Sequence, residues 1–146
     1  MPRIADYLGD DHNHCDDLFV AAENAVDTMD WALAQQAFTT FHNTTLCHLM
    51  REEEILFPAF EATSGMQGGP TQVMRMEHAE MRDTLSAMAD CLSKQDSAQF
   101  LGLSETLLML MRQHNLKEEQ ILYRMCDQML AGDADTLVAR MTQITP

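Results

Sequence analysis

The chain has 146 residues and a formal net charge of −14, enough length for one hydrophobic core and one domain spanning 1–146. That acidity excludes nucleic acid and anionic membrane surfaces as partners, and no apolar run is long enough to cross a bilayer. Alternating Val, Ile and Thr runs are missing, whereas Ala, Leu, Met, Glu and Gln are abundant, which excludes a sheet protein and predicts an all-α fold.

Residues 1–9 read as a lead-in, with Ile4, Tyr7 and Leu8 covering one end of a bundle. Asp10 or Asp11 then caps a first helix running to about Asp27, because an Asp oxygen accepts the free N–H groups of a first turn. Its inner stripe is Leu8, His12, Cys15, Phe19, Ala22 and Val26, spaced by three and four. His14 falls on the opposite side. Asp30 caps a second helix from Trp31 to about Ala62, with Ala34, Phe38, Phe41, Thr45, His48, Glu52 and Ile55 inward and His42 outside. Pro58 lacks the N–H of a helix interior and predicts a kink there. The stretch 63–70, with Gly65, Gly68, Gly69 and Pro70, is a loop.

A third helix opens at Thr71 and ends near Ser93, striped with Met74, His78, Met81, Leu85, Met88 and Leu92. Asp96 or Ser97 caps a fourth helix that runs to about Leu130, with Leu107, Met111, His114, Glu118, Ile121 and Met125 inward. Gly132 is a stop signal, and 133–144 form a short fifth helix packed through Leu137, Val138 and Met141. Four long helices over about 10–130 with short loops predict an up-down-up-down bundle carrying that C-terminal helix. The thirteen methionines read as adaptable core filler. Cys15, Cys47, Cys91 and Cys126 form no CxxC pair and the N-terminus lacks a leader's apolar segment, so a reducing, cytoplasmic setting with free thiols is expected.

The chain repeats itself. His48-Leu49-Met50-Arg51-Glu52-Glu53-Glu54-Ile55-Leu56-Phe57 returns 66 residues later as His114-Asn115-Leu116-Lys117-Glu118-Glu119-Gln120-Ile121-Leu122-Tyr123. The same offset carries Asp11-His12 onto Glu77-His78 and Asp17 onto Asp83, and leaves His14 and His42 unmatched. Positions i and i+4 share a helix face, so each copy presents an imidazole beside a carboxylate. One such pair is weak, since an exposed His–Glu pair is common. Here, however, His12, His48, Glu52, His78, His114 and Glu118 all sit on apolar stripes aimed at one axis. Burying them without a cation costs several kcal/mol per charge, so a metal site is expected. Four imidazoles and two carboxylates suit iron or zinc better than magnesium or calcium, and six ligands leave positions open for a small molecule.

The residues Asp11-His12, His48-x-x-x-Glu52-Glu53-x-Ile55-Leu56-Phe57-Pro58, Glu77-His78 and His114-x-x-x-Glu118-Glu119-x-Ile121-Leu122-Tyr123 resemble the hemerythrin-like HHE cation-binding family over about residues 4–130. The resemblance implies a non-haem di-iron site on those six residues, two iron ions joined by an oxo or hydroxo bridge and by the glutamates, with zinc or manganese as lesser options. Oxygen-carrying hemerythrins have a second His one turn after the third-helix His, where this chain has Arg82, so one metal is expected to be more open. They also place the last carboxylate five residues after its His, which makes Glu119 the alternate to Glu118. Asp16, four residues after His12, is expected to accept a hydrogen bond from a ligand His.

The expected function is a di-iron module that binds or senses O2 or NO, or handles iron, rather than a classical enzyme. The alternatives are a di-iron redox enzyme (peroxide or NO reduction, iron–sulfur cluster repair) and a metal that only holds the fold.

Overall fold

The structure is a computed structural model, and it describes residues 3–146. Among the described residues every regular element is helical. Four rods form the body. The first is α1 (Ile4–Asp27). The second is α2 (Trp31–Arg51), a π-helical turn at Glu52–Leu56, and α3 (Phe57–Ser64). The third is α4 (Pro70–Ser93). The fourth is α5 (Ser97–Lys117), a second π-helical turn at Glu118–Leu122, and α6 (Tyr123–Met129). A 3-10 turn at Ala131–Asp133 leads into the short α7 (Ala134–Thr142). Contacts between α1 and α2, α2 and α4, α4 and α5, and α5 and α1 close the rods into a ring.

Local chemistry sets most of the ends. Asp30 accepts a hydrogen bond from the Leu33 N–H, and Asp96 accepts one from Gln99, each satisfying a donor of a first turn. Gly65 ends α3 at φ 72°, in the left-handed region that glycine adopts without steric cost. The lead-in expected before Asp10 is instead the first turns of α1. Asp127 of α6 accepts the Ile4 N–H at 2.8 Å, a cap supplied from more than a hundred residues away. Met1 and Pro2 lie outside the described residues.

Each rod buries the stripe read from its spacing. Two apolar clusters result, and each rod passes through both. One holds Phe19, Phe38, Phe41, Leu85, Phe100 and Leu107. The other holds Leu8, Leu56, Phe57, Phe60, Leu122 and Met141. Between them lies the buried polar set His12, His48, Glu52, His78, His114 and Glu118. On α1, for example, Leu8 belongs to one cluster, Cys15 to the other, and His12 stands between.

Four expectations need correction. Ile121 is 55% exposed and Leu122 is buried, whereas Ile55, at the same place in the first π-helical turn, is 7% exposed; α7 packs against that first turn. Met125 is only half-buried, at the edge of the second cluster. His42 is half-buried against the Phe38 ring rather than fully outside, though it is remote from the polar set. Finally, Pro58 does not account for the irregularity after Glu52, because the same π-helical turn follows Glu118, where the corresponding residue is Arg124.

Candidate metal centre

The six side chains singled out by the repeat converge. His48 and Glu52 come from the second rod, His114 and Glu118 from the fourth, His12 from α1 and His78 from α4, and all are buried. Donor atoms of Glu52, His78, His114 and Glu118 lie within 4.8 Å of one another, and so do those of His12, His48 and Glu118. Glu118 belongs to both groups. Each carboxylate also reaches across helices: Glu52 Oε1 lies 3.3 Å from His48 Nε2 and 3.2 Å from His78 Nε2. Glu118 lies 3.1 Å from both His12 Nε2 and His114 Nε2.

Glu52 Oε1, Glu118 Oε2, His78 Nε2 and His114 Nε2 are buried and make no hydrogen bond. An orphaned buried polar atom costs on the order of 1–3 kcal/mol, and four aimed at one point are rare in a folded interior. A divalent cation satisfies all four together, and carboxylate oxygen with imidazole nitrogen is a donor set that iron and zinc accept. The residues therefore fit a metal.

Around this set runs a second layer. The Nδ1 atom of His48 lies 3.0 Å from Asp11 Oδ2, that of His78 lies 2.8 Å from Glu53 Oε2, and that of His114 lies 2.8 Å from Glu77 Oε1. Each such contact holds Nδ1 protonated and turns Nε2 inward, the usual support for a ligating imidazole. Each of these carboxylates is in turn held by a cation. Arg51 grips Asp11 through Nη1 at 2.9 Å. Arg82 forms a bidentate pair with Glu53 at 2.7 and 2.8 Å. Lys117 pairs with Glu77. Arg82 thus serves an outer carboxylate.

These outer groups were missed except for their position. Asp16, expected to hold a ligand histidine, makes no hydrogen bond to one; Asp11, Glu53 and Glu77 do. The signal was present, since each is adjacent in sequence to a candidate ligand. Glu119 lies outside the centre, with its side chain 49% exposed and one oxygen 3.5 Å from His12 Nδ1, while Glu118 is fully buried. His14 is exposed.

Tyr123 is the other inner residue. Its hydroxyl donates toward Glu52 Oε2 at 2.7 Å or Glu118 Oε1 at 2.9 Å and lies 3.2 Å from His12 Nε2. Tyr123 is five residues beyond Glu118, which an α-helix would put on another face; the wider π-helical turn brings the two together. The equivalent residue in the other half is Phe57. Its ring stacks on His78 at 5.5 Å as that of Tyr123 stacks on His12 at 5.7 Å.

Electrostatics follow the contacts. Burial alone would raise the Glu53 carboxyl, but hydrogen bonds from His78 and Arg82 outweigh it and take it down to about 2. Burial opposes protonation of His78, and the Glu52 carboxylate 3.2 Å from Nε2 together with the Glu53 carboxylate on Nδ1 reverse this and lift it to about 9. The Tyr123 hydroxyl is held well above its ordinary value, first by burial and then by the Glu118 and Glu52 charges.

The iron-sulfur cluster repair protein YtfE of Dickeya chrysanthemi (strain Ech1591) is 30% identical over 96 residues, covering 59% of this chain and 43% of the relative. The chain thus aligns with less than half of that protein's length. No solved structure matches the chain. The family model described as the hemerythrin HHE cation-binding domain matches residues 3–126, which take in both copies of the repeat and every side chain of the converging set, and on that match the chain belongs to the hemerythrin HHE cation-binding family.

Proposed function

We propose that the chain is a non-haem di-iron protein, an up-down-up-down bundle that binds or senses a small diatomic molecule such as O2 or NO, or handles iron. The observation that carries the reading is the set of four orphaned donor atoms on Glu52, His78, His114 and Glu118. In this reading His12, His48, Glu52, His78, His114 and Glu118 would hold the metal, with Glu118 shared by both groups of donors. Bound iron would supply the coordination and one-electron chemistry that a diatomic ligand requires.

The chain's own residues do the rest. Asp11, Glu53 and Glu77 fix the tautomer and aim of three imidazoles. Phe57, Leu8 and Leu122 belong to the cluster that closes one end of the site to water. A cavity of about 10 Å³ borders His12, His48 and His114 and is walled by Cys15, Thr45, Met81 and Met111. That is room for about one water-sized molecule, which suits a diatomic better than an organic substrate. The Thr45 hydroxyl beside it is buried without a hydrogen-bond partner and can donate to such a guest.

A second reading is redox catalysis, for which the relative named for iron–sulfur cluster repair is one analogy. Tyr123 favours it, because its hydroxyl places a proton against both carboxylates. The ligand assignment is tested by metal content after reconstitution. His48→Ala and His114→Ala should each lose most of their metal, while His14→Ala and His42→Ala keep it. Full loading of the His48→Ala protein would sink the assignment.

A further inference from the structure

The two halves match corner by corner except at one place. Three histidines have a carboxylate on Nδ1 and a cation beyond it: His48 with Asp11 and Arg51, His114 with Glu77 and Lys117, His78 with Glu53 and Arg82. Arg75 stands beside this corner, with Nη1 3.4 Å from the Glu53 backbone oxygen and its guanidinium paired with Glu61. The fourth corner is His12 with Glu119. The repeat places Asp16 where Arg82 stands and Gly9 where Arg75 stands. The arginine that covers the carboxylate is thereby replaced by an acid, and the arginine beside it by a residue with no side chain.

The consequences are visible at the site. Among the described residues Glu119 pairs with no lysine or arginine. A Cβ on Gly9 would come 3.9 Å from Glu119 Oε1, so a side chain there would lie over the carboxylate. Asp16 is exposed one turn beyond His12, and Arg112, whose charge reaches Asp16, makes no ion pair with either acid. An independent observation points inward. His12 is only 4% exposed, yet its Nδ1 has no hydrogen-bond partner and faces this corner, while its Nε2 faces Glu118 at 3.1 Å.

We propose that the corner formed by Glu119, Asp16 and His12 Nδ1 is the doorway through which a divalent cation reaches the buried centre. This rests on the metal reading above. The two carboxylates capture the ion from water, aided by the attraction of the acidic chain for cations. His12 Nδ1 is a third donor, and one imidazole then separates the ion from Glu118. The other three corners are closed to a cation because each presents an arginine or lysine.

The test is the rate of Co(II) uptake by apo-protein in a stopped-flow instrument, with final metal per chain measured alongside. Asp16→Arg, which restores the charge found over Glu53, and Gly9→Arg, which places a cation against Glu119, should slow uptake about tenfold or more and reach the wild-type final content. Asp83→Arg makes the same change of net charge as Asp16→Arg in the other half and should load at the wild-type rate. Uptake by Asp16→Arg at the wild-type rate would overturn the proposal. So would equal slowing by Asp83→Arg, or a lower final content in both Asp16→Arg and Gly9→Arg. A wild-type protein that takes up no metal at all would instead overturn the metal reading beneath it.

Discussion

At the scale of the residue, the centre is a set of buried charges that only its neighbours make tolerable. Tyr123 shows the balance. Its hydroxyl contacts Glu52 and Glu118, and without metal it is one of few donors those carboxylates have. The repeat also shows that a phenyl ring fits such a position, since Phe57 occupies its counterpart. Tyr123→Phe should therefore destabilise the apo-protein by about 1–3 kcal/mol, the cost of unpairing buried acceptors. The metal-loaded protein should lose distinctly less. Urea unfolding of both forms measures this, and an equal cost in each would contradict it. The six inner residues were legible because the offset of 66 residues matched them. The outer carboxylates were harder to read. Whether Asp11 or Asp16 serves His48 or His12 depends on how helices cross, and one helix's spacing says nothing of its neighbour.

At the scale of the element, the two π-helical turns set the site. Each begins at the inner glutamate and ends before the aromatic residue, at Glu52–Leu56 and Glu118–Leu122. The extra residue lets two adjacent acids take different tasks, Glu52 facing the centre and Glu53 facing His78 Nδ1. Periodicity of 3.6 cannot reveal this, nor what covers a stripe: Ile121 stands outside, whereas Ile55, at the same place in the other turn, is buried. Helix existence and most of the caps were legible; the α1 start was not, because its cap is Asp127 from a distant helix. Since the second turn forms without proline, Pro58→Ala should keep full metal content, with a small change in melting temperature. Loss of metal in that variant would mean that the proline, not the site, holds the first turn open.

At the scale of the whole molecule, two apolar clusters sandwich one charged layer, and stability should follow the charge of that layer. Without metal, Glu53 has its carboxyl lowered from 4.5 to about 2. Its contribution is complete above pH 4.5 and is lost as pH falls toward 2. His78 is raised from 6.5 to about 9. Its contribution is complete below pH 6.5 and is lost as pH rises through 9. The apo-protein should then be most stable between about pH 4.5 and 6.5, as read by thermal unfolding. Metal requires neutral imidazoles and so reverses the alkaline side, and the loaded protein should not weaken from pH 6.5 to 8. A matching alkaline decline in both forms would contradict this. No helix among the described residues is long and apolar enough to cross a membrane, and the four cysteines are buried and free.

The most direct measurement is metal content with the optical spectrum, on protein reconstituted with ferrous iron under nitrogen and then exposed to air. The account predicts close to two irons per chain and, after air, the near-ultraviolet and visible absorption of a bridged ferric pair. No bound iron, or a single spectroscopically silent zinc per chain, would contradict it.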